Sequence, residues 1–263
     1  MTAWISRNVF DGVTYTVRHG LLTGMRRRGG LGFLPGVIAP GAETEEVRFW
    51  RGLDLRGKVV YDIGAFHGLL ALHFARQATQ VICFEPNSSN RARLQENLTL
   101  NAISNVLVRD VGLGDVESNE ELTWNPSMPG GGTLDSKGRS GILSGLEVRT
   151  EVVRVVRLDD DRERSHLPAP DLIKIDIEGF ELQALQGGRA TLDAFHPALY
   201  IEMHGETWNE KLRKVAAIVA YLQSLGYREI RHVESGVGIG GENSATAAEG
   251  HLYCLPGATD DRR

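Results

Sequence analysis

Two carboxylates and two glycines in the first half of the chain have the spacing of a nucleotide-cofactor site. Asp62 lies in an otherwise apolar run, and Gly64 and Gly68 follow it in the stretch KVVYDIGAFHG at 58–68. A glycine-framed turn between a strand and a helix lets the backbone approach a ligand closely. Glu85 follows the first glycine by about 20 residues, at the end of the next apolar run, where a carboxylate can hold ribose hydroxyls. These residues predict a site for a cofactor that contains a nucleoside.

The pattern around the first glycine favours S-adenosylmethionine over a dinucleotide. A pyrophosphate site requires G-x-G-x-x-G, whereas Phe66 occupies the third position of that pattern. An acid placed before the glycine turn repels a phosphate and attracts an amino-acid ammonium. S-adenosylmethionine carries an ammonium and a ribose and has no phosphate. It therefore suits Asp62 and Glu85.

A second concentration of charge lies at 170–181, in the stretch PDLIKIDIEGFE. Lys174, Asp176 and Glu178 alternate with isoleucines at the end of a predicted strand. Burying several ionisable groups without a function is unfavourable, and the attraction of acids to a helix start explains only the glutamates. We therefore predict Asp176 as a cofactor-binding and catalytic residue, with Lys174 and Glu178 in the same catalytic site.

His204 follows another predicted strand and is a candidate general base. Its unperturbed pKa is close to neutrality, so it could take the proton of an alcohol. The carboxyl ends of parallel strands meet at one edge of a sheet, so we expect His204 on the same edge as Asp62, Glu85, Asp110 and Asp176. Either His204 or Asp176 is expected to act as the base.

Strands and helices alternate along the hydrophobic pattern. Asp110 and Val111 follow the third strand, where groups that contact adenine would lie. Partial alternation at 146–158 predicts a hairpin with one solvent-facing side. The order predicts an α/β fold with a mostly parallel seven-stranded sheet, helices on both faces and an antiparallel pair at one end. Strands are expected at 59–63, 80–84, 105–109, 172–177, 198–203, 227–233 and 251–255, and helices at 43–53, 69–76, 87–101 and 208–225.

Composition is that of an ordinary globular protein, with 24% charged and 41% hydrophobic residues among 263. The net charge of −5 gives no support for a nucleic-acid-binding surface, and no apolar run is long enough for an integral membrane segment. A cytoplasmic location is expected. We predict an N-terminal extension with a possible lid helix, an α/β domain with an insertion, and a polar tail. These parts cover 1–54, 55–257 with the insertion at about 117–158, and 258–263.

The motifs DIGAFHG, FEP, VGLGD, LDD, DLIKIDIEGFE and ALYIEMH occur in this order over about 55–205. Together they resemble the FkbM-type family of S-adenosylmethionine-dependent methyltransferases, and the lysine-to-glutamate stretch is the most discriminating part. The resemblance implies a Rossmann-like class I methyltransferase fold and O-methylation of a small molecule, at a hydroxyl of a sugar, polyketide or other secondary metabolite. It also implies cofactor contacts from Ala65, Phe66 and Pro86. The family usually has asparagine where this chain has Phe66.

Two other functions stay open. The first is a nicotinamide-dependent oxidoreductase on a related fold, which Phe66 and Asp62 disfavour. The second is a cofactor-binding protein without catalytic activity. Asp159, Asp160 and Asp161 could supply oxygen ligands to Mg²⁺ together with Asp176. Their spacing fits no fixed coordination loop, so no metal is predicted.

Overall fold

A seven-stranded sheet forms the centre of the protein. The computed structural model describes residues 12–29, 43–124, 132–133 and 148–257. The strands are β1 (Thr14–Thr16), β2 (Arg26–Arg28), β3 (Val59–Ile63), β4 (Gln80–Phe84), β5 (Val106–Arg109), β6 (Gly112–Leu113), β7 (Ser118–Trp124), β8 (Gly132–Thr133), β9 (Arg149–Val156), β10 (Leu172–Ile175), β11 (Ala198–Glu202), β12 (Tyr227–His232) and β13 (His251–Pro256). The helices are α1 (Glu45–Gly52), α2 (Leu69–Ala75), α3 (Ser88–Leu100), α4 (Leu158–Arg164), α5 (Glu181–Gly187), α6 (Arg189–Phe195) and α7 (Trp208–Ser224), with a 3₁₀ turn at Ser244–Ala247.

The central sheet has the order β12-β13-β11-β10-β3-β4-β5. β13 runs opposite to the other six strands of this sheet, which all have the same direction. From β3 the chain proceeds to β4 and β5 on one side and later returns to β10 and β11 on the other. The carboxyl ends of β3 and β10 therefore border the crevice in which open α/β sheets bind ligands. The predicted fold class is confirmed.

Both faces of this sheet are covered by hydrophobic clusters. Neighbouring residues of a strand point to opposite sides, so β3 contributes to both clusters. Tyr61 and Ile63 of β3 belong to the hydrophobic cluster that includes Val219 of α7. Val60 belongs to a second cluster, which includes Phe74 of α2. The near-continuous apolar strands recognised in the sequence are the expected pattern for a parallel sheet buried on both sides.

The segment after β5 forms a second, four-stranded sheet with the order β6-β9-β7-β8. The predicted hairpin within 146–158 is wrong in its pairing: the segment supplies one strand, β9, which pairs antiparallel with β7. The stretch contains no glycine, proline or asparagine that could form a tight turn, so it continues as one long strand. Ser88 ties this sheet to the start of α3 by donating to Glu151 through its backbone N–H and its hydroxyl, at 3.1 and 3.0 Å.

The N-terminal residues that the structure describes pack on the central domain. Asn101, the C-cap of α3, donates to the Arg26 carbonyl and accepts from the Arg26 N–H, at 2.7 and 2.8 Å. Trp50 of α1 is fully buried, with its ring centroid 4.2 Å from that of Tyr200 and 5.0 Å from that of Phe74. In the described ranges, no helix has the length and apolar character needed to cross a bilayer.

Replacing Trp50 with alanine should destabilise the protein strongly, because it leaves a large cavity between α1 and the sheet. We expect a loss of about 3–5 kcal/mol in the free energy of unfolding, measured by urea denaturation. Trp208 is the matched control, since 56% of it is exposed and Trp208→Ala should change the stability by no more than about 0.5 kcal/mol. Equal, small losses in both variants would show that α1 is not part of the core.

Candidate active site

A pocket lies at the carboxyl ends of β4, β3 and β10. Its wall is mostly apolar, with polar groups after β4 on one side of β3 and after β10 on the other. Such a pocket with a few convergent polar groups is the usual form of a small-molecule site. The residues that line it are Ile63, Gly64, Phe66, Phe84, Glu85, Pro86, Asn87, Asn90, Val111, Gly112, Leu113, Leu122, Trp124, Asp176, Ile177, Glu178 and Phe180.

The floor of the pocket depends on Gly64. Its φ of +78° is left-handed, and a Cβ atom there would lie 1.8 Å from the Asp176 carbonyl oxygen. The turn after β3 and the segment after β10 therefore approach each other more closely than any side chain at position 64 allows. Gly68, also at a positive φ, lies against Leu94 of α3 and is not part of the pocket wall.

Glu85 is a fixed hydrogen-bond acceptor in the wall after β4. Its Oε2 atom accepts from the Phe66 backbone N–H at 2.8 Å, and its Oε1 atom accepts from the Asn87 N–H at 3.0 Å and from Asn90 Nδ2 at 3.3 Å. Burial raises the pKa of Glu85, and the two backbone donors oppose that shift. Three donors leave the carboxylate in one orientation, as a group that selects ribose hydroxyls requires.

Phe66 aims its N–H at Glu85 by adopting a left-handed conformation, with φ +50°. Asparagine, which the family resemblance implies at this position, tolerates this conformation better than an aromatic residue does. The Phe66 ring lies in the pocket wall and stacks on His67, with ring centroids 3.8 Å apart.

Lys174 joins the ends of the two central strands. Its Nζ atom lies 3.2 Å from Asp62 Oδ1 and 3.2 Å from Asp176 Oδ2, and it donates to the Gly64 carbonyl at 2.8 Å. Burial raises the pKa of Asp62, and Lys174 opposes that shift. The Asp62 side chain is only 1% exposed and is not in the wall of the pocket. The ammonium beside Asp62 is thus that of the protein's own lysine.

Four carboxylates surround His204, and we name this group the acid–histidine cluster. The His204 Nδ1 atom lies 2.9 Å from Glu181 Oε1. The Nε2 atom lies 3.5 Å from Glu178 Oε2, 3.6 Å from Glu202 Oε1 and 3.7 Å from Asp176 Oδ1. Of the residues expected on the same edge as His204, Asp176 belongs to this cluster.

The charges in this cluster change how its members can act. Burial favours neutral His204, but Glu181, Glu178 and Asp176 outweigh it and raise its pKa to about 9. At neutral pH the ring is therefore a cation without a free lone pair, and it could act as a base only near or above pH 9. Burial, together with Asp176 and Glu202, raises the pKa of Glu178 to about 7, while His204 opposes the shift.

Ligand atoms of Asp176, Glu202 and His204 lie within 4.8 Å of one another, a spacing at which a divalent cation could be held. Because the pKa of His204 is raised, a metal ion would have to displace a proton from its ring, and no metal is assigned to this group. The aspartates considered from the sequence are engaged elsewhere. Asp161 pairs with Arg109 at 2.7 Å, and Asp159 accepts from the Thr191 N–H at 2.8 Å.

The predicted site residues fall into two groups. Those in the pocket wall are Gly64, Phe66, Glu85, Pro86, Val111, Asp176 and Glu178. Those placed outside the wall are Asp62, Ala65, Gly68, Lys174, His204 and the exposed Asp110. No residue of α1 lines the pocket, so the lid role stays a prediction.

Several wall residues were not predicted, because a polar residue at a helix start and scattered aromatic residues carry no specific signal for a ligand. Asn87 does cap α3 by accepting from the Asn90 N–H at 3.0 Å. The wall residues that the sequence did not single out are Ile63, Phe84, Asn87, Asn90, Gly112, Leu113, Leu122, Trp124, Ile177 and Phe180.

The sheet order, with one antiparallel strand second from the edge, and the glycine turn facing a buried carboxylate together define a class I methyltransferase fold. The family model described as "Methyltransferase FkbM domain" matches residues 62–229. The chain belongs to the FkbM methyltransferase family.

Curated relatives cover part of the chain. Methyltransferase sdnD of Sordaria araneosa is 30% identical over 57% of this chain and 66% of its own length. The hexuronic acid methyltransferase AglP of Haloferax volcanii is 26% identical over 61% of this chain and 67% of its own length. The 2-O-methyltransferase NoeI of Sinorhizobium fredii is 28% identical over 53% of this chain and 61% of its own length. The chain thus spans about three fifths to two thirds of these relatives.

Gly64→Ala should abolish ligand binding in the pocket and cost several kcal/mol of stability, because the new Cβ atom collides with the Asp176 backbone. Gly57 is the matched control: its φ is +76°, but a Cβ atom there would meet nothing within 4 Å. Gly57→Ala should therefore lose only the roughly 1–2 kcal/mol of left-handed strain. Similar melting temperatures for the two variants would contradict the close approach at Gly64.

The raised pKa of His204 predicts a pH-dependent stability. The contribution is fully present below the unfolded pKa of about 6.5 and is lost as the pH rises through about 9. We expect the free energy of unfolding to fall over this window, and His204→Asn to remove on the order of 2 kcal/mol of that fall. Urea denaturation at pH 6 and pH 10 measures it. An unchanged pH dependence in the variant would show that His204 is not held as a cation.

Proposed function

We propose that the protein transfers the methyl group of S-adenosylmethionine to a hydroxyl of a small molecule. The observation that carries this proposal is the buried Glu85 carboxylate, held by three donors in the pocket wall at the end of the second central strand. This is where the ribose of a nucleoside cofactor is bound in doubly wound sheets. The fold and the family membership support the same activity.

The composition of the wall fits S-adenosylmethionine. Glu85 would hold the ribose hydroxyls, and Pro86, Val111 and Leu113 would enclose the adenine on apolar surface. Asp176 lies across β3 from Glu85, where the positively charged methionine part would be placed. Among the described residues, no lysine or arginine lines the pocket, so nothing there favours the pyrophosphate of a nicotinamide cofactor.

Bound S-adenosylmethionine supplies an electrophilic methyl group, and the protein's residues supply position and a proton acceptor. Holding the acceptor oxygen close to the methyl carbon and in line with it accounts for a large part of such a rate enhancement. The acceptor hydroxyl must also lose its proton, and the acid–histidine cluster borders the pocket through Asp176 and Glu178.

The acceptor is proposed to be a sugar or a secondary metabolite. The printed names of two relatives, a 2-O-methyltransferase and a hexuronic acid methyltransferase, support oxygen as the acceptor atom and a sugar as its carrier. Carboxylates such as Asp176 and Glu178 also accept hydrogen bonds from sugar hydroxyls. A cytoplasmic location and the absence of a nucleic-acid partner stay predictions.

Calorimetric titration with S-adenosylmethionine and with NAD tests the cofactor. We expect saturable binding of S-adenosylmethionine alone, and at least a tenfold loss of affinity in Glu85→Gln, because an amide offers a weaker acceptor to ribose. Glu163→Gln on the exposed side of α4 removes the same charge away from the pocket and should bind normally. Binding of NAD but not S-adenosylmethionine would overturn the proposal in favour of an oxidoreductase.

A further inference from the structure

We propose that Glu178 takes the proton of the acceptor hydroxyl and that His204, held by Glu181, is the positioning residue for Glu178. This inference rests on the proposed methyl transfer. It differs from the sequence expectation, in which His204 or Asp176 was the base.

The backbone places Glu178 at the pocket. It follows Asp176 at the end of β10 and has a left-handed φ of +54°, and Gly179 after it has a φ of +108°. A left-handed conformation is unfavourable for glutamate, and such strain is concentrated at functional sites. Glu178 and Asp176 are the members of the acid–histidine cluster that line the pocket, whereas His204 lies behind them.

Glu181 fixes the His204 ring. The Glu181 side chain is 1% exposed, and its Oε1 atom accepts from the Gly179 N–H at 2.8 Å as well as from His204 Nδ1 at 2.9 Å. With Nδ1 occupied, the Nε2 edge faces Glu178 Oε2 at 3.5 Å. A buried carboxylate that orients a histidine in this way determines which nitrogen faces the site.

The charges facing Glu178 come from three elements. His204 and Glu202 face it from the end of β11, Asp176 from the end of β10, and Glu181 from α5. Burial and the three acids disfavour ionised Glu178 and the His204 cation favours it, so the balance leaves its pKa at about 7. A group with this pKa is ionised often enough to accept a proton and basic enough to hold it.

In the proposed step the acceptor oxygen forms a bond to the methyl carbon as the bond from that carbon to sulfur breaks. The electron pair of the broken bond stays on sulfur, and the hydroxyl proton moves to a Glu178 oxygen. The products are the methyl ether, S-adenosylhomocysteine and protonated Glu178, which returns its proton to solvent. No oxidant or metal is needed for this balance.

The titration of Glu178 gives a test that needs no acceptor. Carboxyl ¹³C NMR of the full chain should show one glutamate with a midpoint near pH 7 that is absent from Glu178→Gln. In His204→Gln the midpoint should move to higher pH, because the cation that favours ionised Glu178 is gone. A merely structural histidine would leave the midpoint unchanged. A Glu178 midpoint near the ordinary value of about 4.3 would overturn the proposal.

Turnover gives the second test, with tritiated-methyl S-adenosylmethionine and a panel of methyl glucoside and methyl glucuronoside. On any probe that the wild type methylates, Glu178→Gln should lower kcat at least 100-fold and change the cofactor Kd less than about twofold. Glu163→Gln should match the wild type. Wild-type turnover in Glu178→Gln would remove Glu178 as the base while leaving the methyltransferase activity established, whereas loss of cofactor binding in the wild type would contradict the proposed function itself.

Discussion

The ligand-binding edge of the sheet depends on the buried ion pairs that Lys174 forms with Asp62 and Asp176. The Lys174 side chain is 5% exposed and lies between the carboxylates of Asp62 and Asp176, while it also donates to the Gly64 carbonyl. The contact joins the ends of β3 and β10, two parallel neighbours at which the order of strands along the sheet reverses. Removing one partner of a buried ion pair costs about 3–5 kcal/mol, because the remaining charge stays buried without compensation. The contacts of Lys174 therefore fix the distance between the glycine turn after β3 and the segment around Asp176 after β10.

The contact with Lys174 also helps to lower the pKa of Asp176, whereas the pKa of Glu178 is raised. Burial disfavours ionised Asp176, but Lys174 and His204 hold its pKa below the ordinary value. Burial and three neighbouring acids raise the pKa of Glu178, two residues further on, to about 7, while His204 opposes the shift. Two carboxylates whose environments move their pKa values apart are suited to different tasks. Asp176 then supplies a permanent negative charge beside the pocket, and Glu178 supplies a group that can exchange a proton.

Much of the fold follows from the sequence, because β3, β4, β10 and β11 are short apolar runs that end in chemistry-bearing residues. Glu85 could be placed for the same reason. The pairing of Asp62 with Lys174 could not be predicted, because it depends on the register that sets Lys174 beside Asp62 on the neighbouring strand. The imidazolium form of His204 was equally hidden, because its carboxylate neighbours come from three separate elements. The pairing of β9 with β7 joins segments separated by residues that carry no pairing signal.

A crystal structure of the protein with S-adenosylhomocysteine tests the central claim most directly, namely that the pocket between Glu85 and Asp176 is the methyl-donor site. The account predicts ribose hydroxyls within about 3 Å of the Glu85 carboxylate and adenine against Pro86 and Val111. It also predicts that the sulfur lies on the side of the pocket formed by Asp176 and Glu178. A ligand bound outside this pocket, or one whose ribose does not contact Glu85, would contradict the account.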